Sequence, residues 1–294
     1  MIRLMAAPIS WGICEMPGWG RMLSAERVLS EMTELGIVAT EFGAPGFLPD
    51  GDVELTNLLD RFGVSVTGGF VPVVVHDPAV AEATVAEARR IAETFRRRGA
   101  SLFIAAAVVA EGWSPRFRMT DEQVAHTGAM LDRLSAVTAE YGVELVLHPH
   151  TGTLVETAED IERVLAASSC KWCLDTGHMA IGGCDVVDFA RRTLDRVGLV
   201  HLKDVDMALA ARYNAKEISW MEVVQAGLFH PLGVGEVPVA EVIDVLEKGG
   251  YQGWYVLEQD VAITGDEPEY GTGPVLNVRK SVEYLRSRYE VVAA

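Results

Sequence analysis

The chain has 294 residues, 49% of them hydrophobic, and a mean hydropathy of +0.18, which suffices for one large core. Its 25 Lys+Arg against 42 Asp+Glu leave a net charge of −17. A surface so acidic repels phosphate backbones and anionic headgroups, so no nucleic-acid or membrane partner is expected and a small neutral or cationic ligand is. No window reaches the ~18 apolar residues of a membrane span, and the N-terminal MIRLMAAPISWGICEMPGWG lacks a sustained apolar signal region; a soluble, cytoplasmic protein is expected.

Taken in chain order, short apolar, β-branched runs alternate with amphipathic stretches. The strand candidates are LMAAPIS, VATEFG, VSVTGGFVPVVV, SLFIAAAVV, VELVLHPH, KWCLDTG, LVHLKDV and GWYVLEQD. Between them, SAERVLSEMTELG, DVELTNLLDRFG, PAVAEATVAEARRIAETFRRRG, TDEQVAHTGAMLDRLSAVTAEYG and TAEDIERVLAAS carry apolar residues at i, i+3, i+4 and i+7, the period of a half-buried helix. Ser24, Asp52, Thr120 and Thr157 stand where N-caps belong, and Gly36, Gly63, Gly99 and Gly142 where helices end. Eight nearly all-apolar strands separated by helices predict parallel pairing buried on both faces, and eight such units predict a (β/α)8 TIM barrel over residues 1–294 as one domain. The interval between the seventh and eighth strands is overlong. Its AKEISWMEVVQAGL pattern is an extra helix, a candidate wall or lid, before the loop FHPLGVGEVP and the helix VAEVIDVLEKGG. Cys170 and Cys173 have CxxC spacing but no second pair to complete a zinc site, so they and Cys14 and Cys184 read as buried or inert thiols.

In an α/β barrel the chemistry sits at the C-terminal strand ends. There the sequence places His148 and His150 on the fifth strand, Asp175 at the end of the sixth with His178 just beyond, His201 and Lys203 on the seventh, and Glu258 on the eighth. His148 to Asp175 and Asp175 to His201 are each about one βα unit; the longer step to Glu258 is one unit plus the extra helix. Donors recurring at one height on four successive strands can hold a divalent cation. A mixed N/O set suits Mn²⁺, Co²⁺, Zn²⁺ or Fe²⁺ better than Ca²⁺. Such a cation polarises a ketone and stabilises an enediolate, which serves isomerisation, epimerisation or β-elimination equally. Some of these residues have plainer readings. Asp175 lies some ten residues too early to cap a helix beginning near residue 185, and DTG occurs once, whereas an aspartic protease needs two. His76, His126 and His230 read as structural.

At these residues the sequence resembles the xylose isomerase-like TIM-barrel superfamily, and within it the inosose (2-keto-myo-inositol) dehydratase branch. The supporting stretches are PISWG with ERVLSEMTELGIVATEFG, then LHPHTGTLVET, CLDTGHMAIGGCD, VHLKDV and GYQGWYVLEQD. The resemblance spans essentially the whole chain and implies a metal-dependent lyase of inositol catabolism. Mn²⁺ or Co²⁺ is the expected cofactor, with Zn²⁺, Mg²⁺ or Fe²⁺ as alternatives. Such a lyase dehydrates a cyclic polyhydroxy ketone such as 2-keto-myo-inositol through a metal-stabilised enediolate. His148, Asp175, His201 and Glu258 are then metal ligands, His178, Lys203 and His150 proton-transfer groups, and Glu41 and Trp11 substrate contacts. One departure stands out. Sugar isomerases and epimerases of the superfamily carry Glu on the fifth strand where this chain has His148, which removes one of an epimerase's two glutamates and leaves His148, Glu156 or water as the fourth ligand. An isomerase or epimerase of a ketose or keto-glycoside is the runner-up. An abasic-site endonuclease is excluded by the charge and the five lysines, and a non-catalytic sugar binder would not need the strand-end set. The expected partner is a small polyol or keto-sugar. Self-association is expected of the family, with Trp113 and Trp220 as contact or pocket residues.

Overall fold

Local sequence decides where each strand stops. The computed structural model describes residues 1–110, 112 and 114–292; Trp113 therefore lies outside the described residues. Eight strands carry the fold: β1 (Ile2–Ala6), β2 (Ala39–Glu41), β3 (Ser65–Val73), β4 (Leu102–Ala107), β5 (Glu144–Leu147), β6 (Lys171–Asp175), β7 (Val197–Leu202) and β8 (Trp254–Leu257). β1 ends early because Pro8, which has no N–H for a ladder, opens the 3-10 turn Pro8–Trp11. All six residues of β4, LFIAAA, are buried, as expected of a strand covered on both faces. In hydrogen-bonding order the sheet runs β8, β7, β6, β5, β4, β3, β2, β1, and β8 pairs again with β1. That is the order of a (β/α)8 barrel.

The Cα positions group into two compact units, residues 1–66 with 201–294, and residues 67–200. In the first, β1 lies parallel to β8, Arg3–Ala6 against Trp254–Leu257, and meets β2 at Ala6 opposite Thr40. Val291–Val292 adds two residues beside Ile2 and Arg3. In the second, Gly68–Val73 of β3 pairs with β4, β4 with β5, and β5 with the start of β6.

The helix signals are mostly where the sequence puts them. Ser24 caps Ala25–Glu34, and Thr120 and Thr157 form capping boxes with Gln123 and Asp160. Asp52 is the exception: Gly51 is the N-cap, and Asp52 opens the helix Asp52–Phe62, where its charge still complements the helix N-terminus. Gly63 closes that helix at φ 63°, a left-handed conformation that a side chain disfavours.

The long interval before β8 belongs to the first unit. It holds two helices, Met207–Asn214 and Trp220–Gln225, ahead of Val239–Lys248. The first was not legible as a helix, since MALAARYN is only eight residues long and follows one residue after the strand-like VHLKDV. Asp204–Val205 separates from β7 and pairs antiparallel with Phe229–His230. Gln225 Nε2 reaches the carbonyls of Gly18 and Trp19, each at 3.4 Å, so the inserted segment leans on the loop after β1. Asp204, 1% exposed, organises the return loop: Oδ2 accepts the N–H of Gly233 (2.8 Å) and Gly235 (3.0 Å), and Oδ1 those of Val237 and Val205 (both 3.0 Å). Asp204→Asn turns one acceptor into a donor facing N–H groups. It is expected to cost roughly 2–3 kcal/mol, read in urea unfolding, and to expose residues 231–238 to early protease cleavage.

Candidate active site at the strand ends

In the unit of residues 67–200, β5 ends at Leu147 and His148 follows, its backbone N–H bonded to the Ala105 carbonyl at 2.7 Å. Its Nε2 lies 3.1 Å from Asp175 Oδ2, both residues being buried. Asp175 closes β6 and, contrary to the sequence reading, is also a helix cap: its Oδ1 accepts the His178 N–H at 2.7 Å and starts the short helix Thr176–Ile181. The acid and the imidazole stand three residues apart because that is the N-cap to N3 spacing. One carboxylate oxygen is spent on the helix, leaving the other beside His148.

His178 and His150 are in contact, their rings tilted 39° with centroids 3.9 Å apart, and His148 meets them at 5.7 and 5.3 Å. Phe70 flanks His148 and His150. His150 Nδ1 lies 2.8 Å from the Thr151 carbonyl. A carbonyl only accepts, so Nδ1 carries the proton. The Thr151 hydroxyl is 3.0 Å from His178 Nδ1.

Glu156 is employed elsewhere. Its Oε2 is 2.9 Å from Arg116 Nε, and Arg116 also bonds the Thr153 carbonyl and Asp160. Burial pushes the Glu156 carboxyl upward, and Arg116 opposes that. Within this unit His148, and not Glu156, stands beside Asp175.

In the other unit, β7 carries His201 one residue before its end, Lys203 follows the strand, and Glu258 follows β8. His201, 1% exposed, lies between two carboxylates. Nε2 is 2.9 Å from Glu41 Oε1, and Nδ1 is in close contact with Glu258 Oε2. Lys203 is fully buried, with Nζ 2.8 Å from Asp260 Oδ1, 3.6 Å from Glu258 Oε2 and 5.1 Å from the Phe229 ring centroid. A buried ammonium needs such a partner.

Glu41 is therefore brought to His201. Trp11 takes a structural place: it is 0% exposed, and its indole N–H donates to the buried Glu31 at 2.9 Å. It offers no open ring face as a platform. Trp220, half-buried, packs beside other rings, 5.3 Å from Tyr213 and 6.0 Å from Phe229. Sequence reasoning missed Asp260, although LEQD sets it two residues beyond Glu258 just as Lys203 stands two beyond His201. It also missed Arg116 and Glu31, whose partners are distant in sequence. None of the four cysteines is in a disulfide, and burial pushes Cys170 and Cys184 up to about 11 and Cys14 up to about 12, as inert thiols require.

Among the described residues no helix is long and apolar enough to cross a membrane. Comparison with known proteins agrees with the fold. The family model described as "Xylose isomerase-like TIM barrel" matches residues 29–288, and the chain belongs to that family. It is 32% identical over 275 residues to an inosose dehydratase of Geobacillus kaustophilus (strain HTA426), covering 89% of each chain. Among solved structures, the probable 3-DHS dehydratase AsbF of Bacillus anthracis superposes with a TM-score of 0.70 at 15% identity, covering 98% of this chain and 100% of that one. The IOLI protein, solved with a binding zinc atom, does so with a TM-score of 0.67 at 15% identity, covering 96% of each.

Proposed function

We propose that this chain is a divalent-metal-dependent dehydratase of a cyclic polyhydroxy ketone, 2-keto-myo-inositol or a close analogue. The observation that carries this reading is the buried donor set itself: two imidazoles and two carboxylates, paired within each unit as His148 with Asp175 and His201 with Glu258. Carboxylates so deeply buried require a positive partner. In this proposal His148, Asp175, His201 and Glu258 together hold one cation, and the two-nitrogen, two-oxygen composition fits Mn²⁺, Co²⁺, Zn²⁺ or Fe²⁺. When bound, the cation supplies Lewis acidity toward the substrate carbonyl. The likeness to the inosose dehydratase over most of the chain favours elimination and a polyol-derived ketone, and the acidic surface suits a substrate without phosphate.

The remaining roles fall to this chain's own side chains. His150, with its proton held on Nδ1 by the Thr151 carbonyl, presents Nε2 as the base that takes the proton from the carbon between the carbonyl and the departing hydroxyl. That C–H pair becomes the new C=C bond. His178, against His150 and beside the Thr151 hydroxyl, donates a proton to the hydroxyl that leaves as water. Lys203, fixed by Asp260, directs its ammonium at the oxygen on which negative charge accumulates. The carbon acid and the leaving hydroxyl are thereby served by different imidazoles. Histidine at 148 removes a glutamate that a two-base epimerisation would use.

Metal-stripped protein is expected to be inactive on 2-keto-myo-inositol, and added Mn²⁺ or Co²⁺ to restore the rise in ultraviolet absorbance of a conjugated diketone. Epimerised or isomerised ketose without loss of water, detected by mass spectrometry, would reverse the assignment in favour of an isomerase. The protein is expected to act in the cytoplasm as a homo-oligomer; sedimentation of the purified chain tests the second point.

A further inference from the structure

The carboxylate that ends β2 is placed for a role other than gripping substrate. Glu41 is 5% exposed, and its Oε1 lies 2.9 Å from His201 Nε2. The strand end that carries it is fixed by the Thr40 hydroxyl, which bonds the Ala6 carbonyl at 2.9 Å and the Glu41 carbonyl at 3.2 Å. An ionised carboxylate only accepts hydrogen bonds, so the ring nitrogen facing it carries the proton. With Nε2 donating to Glu41, Nδ1, the nitrogen on the Glu258 side of the ring, is the one that can offer its lone pair to the cation proposed above. Glu41 is not among the four residues assigned to the cation, and its carboxylate addresses the opposite nitrogen of the ring. A carboxylate that takes the second N–H of a metal-binding histidine fixes its tautomer, holds the ring in plane and raises its basicity.

We propose that Glu41 is a positioning residue for the cation, acting through His201 so that Nδ1 rather than Nε2 is the metal donor. This rests on the divalent-metal reading above. It explains why an acid at the end of β2, 160 residues from its partner, is buried against an imidazole rather than open to a ligand. It also separates Glu41 from Lys203 and Asp260, which pair with each other.

The test is a calorimetric titration of metal-stripped protein with Co²⁺, with the visible Co²⁺ absorption recorded in parallel. Wild type is expected to bind one Co²⁺. Glu41→Gln, which keeps an acceptor but loses the charge, is expected to bind ~10–100-fold more weakly with an altered Co²⁺ spectrum. Glu41→Asp, which keeps the charge but shortens the reach, should fall between them and gives the comparison if Glu41→Gln does not fold. Unchanged Co²⁺ affinity and spectrum in a folded Glu41→Gln protein, with the KM for the ketone raised instead, would overturn the assignment and return Glu41 to substrate binding. Failure of the wild type to bind Co²⁺ would overturn the metal reading itself, and the role of Glu41 with it.

Discussion

Asp175→Asn is expected to reduce kcat/KM by at least ~10²–10³-fold, the scale of removing one electrostatic contact to developing charge, while the protein still folds. The two halves of that expectation come from the two oxygens of one side chain. Oδ1 accepts the His178 N–H and starts the helix Thr176–Ile181. Asparagine preserves this, because Asn and Asp serve nearly equally as N-caps. Oδ2 faces His148, and only there does losing the negative charge matter. An amide is a poor ligand for a mixed N/O transition-metal site, and its NH₂ end would repel an imidazole N–H. Melting temperature within a few degrees of wild type, together with lost turnover at saturating Mn²⁺, is the expected pair of measurements. Substantial activity in the metal-loaded variant would remove Asp175 from the ligand set.

The second large effect is on stability, away from the chemistry. Glu31, 0% exposed, accepts the Trp11 indole N–H (2.9 Å), Arg27 Nε (3.1 Å) and the Gly271 N–H (3.0 Å). Arg27, its side chain 9% exposed, extends to the carbonyls of Pro268, Glu269 and Thr272 and to Glu267. One buried ion pair thus joins the helix Ala25–Glu34 to the segment leading from β8 to the last helix. Glu31→Ala leaves the guanidinium without its buried partner and orphans two N–H donors. Breaking such a pair from one side costs about 3–5 kcal/mol, which in a chain of this size corresponds to a fall in Tm of about 6–20 °C. Differential scanning calorimetry reads it. A drop under 2 °C would show that solvent replaces Glu31 at little cost.

How much of this was written in the sequence depends on the range of the interaction. The strands and most helices were legible because period-2 and period-3.6 patterns are local, and Ser24, Thr120 and Thr157 cap within three residues of themselves. His148, Asp175, His201 and Glu258 were legible as a set because each ends an apolar run about one βα unit from the last. The helix Thr176–Ile181 escaped notice because six residues, TGHMAI, are too few to show a period; only its capping acid marks it, and that acid was read as a ligand alone. The Asp204–Val205 and Phe229–His230 pairing was hidden inside LVHLKDV, which reads as one strand until the long interval returns to bond it. Glu156 was a plausible ligand until Arg116, 40 residues earlier, claimed it. Trp11 suited a substrate platform by position, but its partner Glu31 sits on the following helix and turns the indole inward. Pairings of this kind depend on tertiary geometry, for which a single sequence carries no spacing rule.

The proposed function requires one cation that depends on Asp175 and on Glu258 alike. Metal content of protein dialysed against Mn²⁺ or Co²⁺ tests it directly, measured for wild type and for Asp175→Asn and Glu258→Gln in turn. One equivalent per chain in wild type, lost on altering either residue alone, is the predicted result. Two equivalents, or one that survives removal of either carboxylate, would contradict it.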